Sequence, residues 1–114
     1  MAATFASEKQ RQLFAALENC GDLVFAAGPR GAVANLVGVF YVRPNHQGED
    51  QLNVGDGVHH VHLDWSRLER VEASEAHGEG VLTFFDGEEK LFRFYRMAGP
   101  WPAKVLEMAG ELVP

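Results

Sequence analysis

Hydrophobic positions follow two different rhythms along this chain, helical at both ends and that of strands between. Between Ser7 and Gly21, Leu13, Phe14, Leu17 and the weaker Ala16 recur at helical spacing. Ser7-Glu-Lys-Gln10 ahead of them reads as a capping box, in which the serine hydroxyl and the glutamine satisfy orphan N–H groups. The spacing predicts a helix to about Asn19, ended by Gly21. From Leu23 the rhythm shortens to that of strands. Leu23–Ala27 and Ala34–Val42 are strand candidates separated by the turn residues Gly28-Pro-Arg-Gly31. A polar connection, 44–50, leads to a brief edge strand, Gln51–Val54, and to the turn Gly55-Asp-Gly57. Val58–Leu63 and Leu68–Ala73 are the next strands. Gly80–Phe85 and Lys90–Arg96 flank Asp86-Gly-Glu-Glu89, a hairpin signal because Asp-Gly supports the backbone twist that a tight turn needs. After Gly99-Pro100, Val105, Leu106, Met108 and Ala109 restore helical spacing across Trp101–Leu112.

The order helix, strands, helix lacks a βαβ rhythm, so the expected fold class is α+β. An antiparallel sheet with N-terminal and C-terminal helices packed on it fits the pattern, as a single domain over residues 1–114. The hairpin is apolar on both parities: Leu82 and Phe84 against Val81 and Phe85, then Phe92 and Phe94 against Leu91 and Tyr95. Such a sheet has to be covered on both faces. Helices cover one; a second copy in a homodimer or an apolar ligand is expected on the other.

Composition narrows the function classes. Apolar residues are 46% and charged residues 23%, a globular balance that excludes intrinsic disorder. The formal charge of −6 argues against a nucleic-acid partner, since phosphate binding needs basic patches. It also disfavours anionic membrane surfaces, and no apolar run reaches the roughly 20 residues of a bilayer span. A single cysteine, Cys20, allows no intrachain disulfide, and no signal-peptide pattern opens the chain, so a cytoplasmic location is expected. Cys20 is read as a structural thiol, having no histidine near it in sequence.

Three of the five histidines stand together in His59-His-Val-His62. Strand parity puts His59 with Val61 and Leu63 toward a core, leaving His60 and His62 together on the other face. Two imidazoles there can bind one metal or a planar iron cofactor, or they can be a half-exposed surface pair. His46 and His77 fall in polar loops. A cupin-type zinc set is excluded because Ser66 and Arg67 stand where its glutamate is needed, and neither a His-Glu-x-x-His helix nor paired cysteines occur. Arg93, on the parity of Leu91 and Tyr95, requires a carboxylate: either a ligand's or a protein group such as Glu72.

Together, Gly80–Tyr95, Val58-His-His-Val-His-Leu63 and Asn35-Leu-Val-Gly38 resemble segments of the cytosolic haem-utilisation proteins of the HemS and ChuX/HutX type. The likeness runs from about Asn35 to Met108. It implies a haem-binding carrier for intracellular haem utilisation or transfer, with relatives that degrade haem. Ligation of the iron falls on His60 or His62, Arg93 pairs a propionate, and Trp65 with the hairpin aromatics lines the porphyrin. The chain is shorter than typical carriers of that group, and its segment between Gly38 and Val58 is longer. The alternative is a non-catalytic homodimeric interaction module of the same fold that has lost haem binding. A degrading enzyme requires an oxygen-activating group, which the sequence does not display.

Overall fold

The computed structural model describes residues 5–28, 31–76, 79–96 and 99–111. Its elements are α1 (Glu8–Glu18), β1 (Leu23–Ala27), β2 (Ala34–Gly38), β3 (Phe40–Pro44), β4 (Asp50–Val54), β5 (His59–Val61), β6 (Arg70–Ala76), β7 (Glu79–Asp86), β8 (Glu89–Arg96) and α2 (Ala103–Glu111). A single 3-10 turn, Trp65–Arg67, lies between β5 and β6. The α+β expectation holds, with a helix at each end and every pairing antiparallel. There are, however, two sheets: one of five strands in the order β2-β1-β8-β7-β6, and one of three in the order β3-β4-β5.

The second sheet exists because the run Ala34–Val42 is two strands. β2 ends at Gly38 and β3 starts at Phe40, in the other sheet. Gly38 has φ +157°, and a Cβ there would lie 2.9 Å from Val54 Cγ2, so a side chain is excluded where the chain turns the corner. Gln51–Val54, read from sequence as an edge strand, is the centre of the small sheet, paired on both sides; β5 is its edge.

Between the sheets and α1 lies one core. Phe14 from α1 meets Phe84, Phe94 and Trp65, while Phe25, Phe40, Phe92 and Phe94 stack edge to face or tilted across the two sheets. The capping box forms as expected: Ser7 Oγ accepts from the Gln10 amide, and Gln10 Oε1 accepts from the Ser7 amide. Gln10 has a second use. Its buried Nε2 donates to the carbonyls of Trp65 and Leu68, tying α1 to the chain that follows β5. At the other end, Trp101 lies over Gly80, where a Cβ would come within 2.7 Å of the indole. This contact seats the approach to α2 on β7.

The β7–β8 hairpin closes through Gly87 at φ +60°. Its register shifts after Phe84↔Phe92 to Phe85↔Lys90, leaving Leu91 as the extra residue of a bulge. Simple alternation puts Leu91 beside Arg93; the bulge instead lets Leu91 pack against the core with Phe92.

Candidate functional site

His60 lies in β5, opposite Asn53, and His62 is the first residue after that strand ends at Val61, which pairs with Leu52. The parity reading holds for His60, His62, Val61 and Leu63, but His59, expected toward the core, is exposed because β5 is a sheet edge. Both rings are exposed and meet edge to face with centroids 4.9 Å apart. Val61 and Leu63 face inward and pack on the core. His59 is exposed at its edge position, and so is His46 in the β3–β4 turn; His77 lies outside the described residues. Among the described residues no group of three or more His, Cys, Asp or Glu side chains converges as a metal cage. An iron bound here therefore has to bring most of its own ligands, as a porphyrin does.

His62 lines a cleft of about 250 Å³ between the two sheets. Phe25, Val61, Leu63, Leu68, Leu91 and Phe92 form its apolar walls, and Asp64 and Arg67 join His62 as its polar lining. Its volume is slightly below the roughly 300–1,000 Å³ of pockets that enclose small molecules. A large planar ligand can insert an edge here but is not swallowed.

The segment carrying His62 and Arg67 is held at several points. Asp64 Oδ1 accepts from the Ser66 amide and hydroxyl, at 3.2 and 2.6 Å. Trp65 Nε1 donates to the Asp50 carbonyl at 3.2 Å. Arg67 donates from Nε to Asp86 at 2.7 Å and from Nη2 to Glu89 at 2.6 Å. Glu69 accepts from the Gly87 amide, and Arg70 donates to the Gly87 carbonyl. The β5–β6 connection thus grips the hairpin turn. The hydrogen bond from Arg67 holds the Asp86 carboxyl below its ordinary value, with Glu69 as a lesser partner, while Asp86 and Glu89 raise Arg67.

Two residues expected at a haem site stand elsewhere. Trp65 is 1% exposed, packed edge-on against Phe14, so its ring has no free face to offer a porphyrin. Arg93 pairs with Ala26 and Thr83 and shares their face of the five-stranded sheet, opposite to that of Phe92 and Phe94. It lines a different depression, with Ala26, Gly28, Val33 and Lys90, which meets the histidine cleft only at Ala27, Leu91 and Phe92. Glu72 is not its partner: β7 separates β6 from β8, and Glu72 pairs with Arg70 at 2.8 Å. Arg93 lies instead over the Tyr95 ring at 5.7 Å. Arg67, the cation that does line the cleft, was not singled out from sequence. Its only signal was its place five residues after His62, and that acquires meaning only once the turn folds.

Cys20 is half-buried and donates weakly to the Ala16 carbonyl. Burial pushes its thiol up, with Arg96 opposing. No helix among the described residues is long and apolar enough to cross a membrane.

No protein-family model and no curated protein matches the chain. Its fold does match solved structures. A crystal structure of an Erwinia carotovora protein superposes with a TM-score of 0.59 at 12% identity, covering 89% of this chain and 70% of that one. Two structures of ChuX, one described as a haem-binding protein, give 0.54 and 0.56 at 10% identity, covering 89% and 92% of this chain and 68% and 70% of theirs. At such identities the likeness is one of architecture. The chain has the ChuX fold.

Proposed function

We propose that this protein binds haem at the cleft beside β5 and acts as a cytoplasmic carrier for haem utilisation or transfer. The observation that carries the reading is the exposed His60–His62 pair, 4.9 Å between ring centroids, at an apolar cleft between the sheets of a ChuX fold. A neutral imidazole ligates ferric iron through one nitrogen, and Leu63, Leu68, Leu91 and Phe92 take the apolar edge of the macrocycle. The absence of a protein metal cage among the described residues suits a cargo that arrives with four nitrogens already bound. The small cleft leaves one face of the ring open, as transfer to an acceptor requires. A single cysteine without a disulfide suits a reducing compartment.

Titration with ferric haem tests this. A saturable Soret band is expected for the wild type, displaced or lost in the H60A/H62A double variant. An unchanged band in that variant removes the histidines from the function.

A second reading is a homodimeric interaction module without haem. It is favoured by one observation: the outer face of the five-stranded sheet ends in Val37, 61% exposed, on the edge strand β2. That reading predicts a stable dimer by light scattering in the absence of haem and no saturable Soret band.

A further inference from the structure

We infer that Arg67 recognises an acidic group of the ligand in the His62 cleft, and that Glu89 competes with that group for the guanidinium. This rests on the haem reading and names the residue that selects among porphyrins. Among the described residues, Arg67 is the only arginine or lysine lining the cleft that holds His62. Its side chain is 45% exposed, so the guanidinium is reachable from the cleft mouth. Five donors in a fixed fork suit a carboxylate or another planar or phosphate-like oxyanion.

At present two carboxylates share it: Asp86 on Nε at 2.7 Å and Glu89 on Nη2 at 2.6 Å. The two are not equivalent. Asp86 lies at the start of the hairpin turn, is the less exposed of the pair, and contributes the larger upward effect on Arg67 through its hydrogen bond. Glu89, 65% exposed, is readily solvated when released. Displacing Glu89 leaves Arg67 oriented by Asp86 through Nε, with the Nη2 donor turned over to the ligand. One carboxylate replaces another, so the local charge balance is unchanged. Asp64, Glu69 and Arg70 complete the charged surroundings, and of these Arg70 is engaged by Glu72 and the Gly87 carbonyl.

The arrangement also predicts a preference. A ligand whose carboxylates are blocked cannot displace Glu89 and meets an occupied guanidinium. The free acid takes the place of Glu89 on Nη2.

Ferric haem and ferric haem dimethyl ester, titrated by Soret absorbance, provide the test. Wild-type protein is expected to favour the free acid a few-fold, since the ligand carboxylate replaces Glu89 on a half-exposed guanidinium rather than adding a new pair. R67Q should abolish that preference while retaining binding of the ester. E89Q should strengthen binding of the free acid and leave the ester unchanged, a gain that misfolding cannot produce. Equal preference in R67Q and wild type overturns the assignment, as does loss of the preference in R93Q instead. Binding of haem with no discrimination by wild type sinks this inference but spares the haem reading. Failure of both ligands to bind ends both.

Discussion

The two sheets put the same strand alternation to opposite uses. In the five-stranded sheet, one face of the β7–β8 hairpin sends Phe84, Phe92 and Phe94 into a continuous aromatic core. In the three-stranded sheet, Leu52, Val54 and Val61 enter that core while the reverse face carries Tyr41, the buried Asn53 and the exposed His60. The first sheet is central and paired on both sides at the hairpin; the second ends at β5, three residues long, with exposed histidines. The hairpin therefore supplies the core, and the edge strand carries the histidines of the proposed ligand site. Two separable sets of substitutions follow.

The largest effect is expected from Phe94→Ala. This ring is fully buried and touches Phe14, Phe25, Phe40, Phe84 and Phe92. Its removal should lower unfolding free energy by about 3–5 kcal/mol in a denaturant titration. A loss near that of a surface substitution breaks the division of labour. Gly80→Ala comes next: its Cβ would come within 2.7 Å of the Trp101 indole, and the forced shift should cost about 1–3 kcal/mol. Compensation by a smaller side chain at Trp101 in a double-mutant cycle would identify the clash as the cause. By contrast, H60A/H62A should change stability by less than about 0.5 kcal/mol while removing the haem signal, because both rings are exposed. Equal damage to folding and binding would erase the contrast between the sheets.

How far these roles were legible in the sequence follows from the range of the interactions that set them. The capping box, the Asp86–Glu89 turn and the shared face of His60 and His62 are local, and each forms as its spacing predicts. The break at Gly38 depends on Val54, sixteen positions on, and the bulge at Leu91 on register with β7; neither can be read from strand alternation alone. Trp65 was expected against a porphyrin only through the family resemblance. It is buried because Gln10, on the opposite end of the chain, holds its carbonyl and Phe14 covers its ring. Arg67 rather than Arg93 lines the cleft for the same reason. Only the grip of the β5–β6 connection on the hairpin turn brings Arg67 to the cleft.

That grip gives the smallest and most specific prediction. Hydrogen bonding from Arg67 lowers the Asp86 carboxyl from its ordinary value, so the folded state favours the carboxylate more than the unfolded state does. Its contribution is present above the ordinary aspartate range and is lost as pH falls through the folded value. D86N should thus be slightly less stable than wild type at neutral pH, with the two thermal midpoints converging as the pH drops into and below that range. Asp86 is exposed, so the shift is modest and salt weakens it. The same variant loosens Arg67 from Nε, and a guanidinium without that anchor should select poorly between haem and its ester. A D86N protein whose midpoint gap is independent of pH would show that the pair does not hold the turn. The hairpin would then stand on its phenylalanines alone, and the edge strand would orient its chemistry without help from the larger sheet.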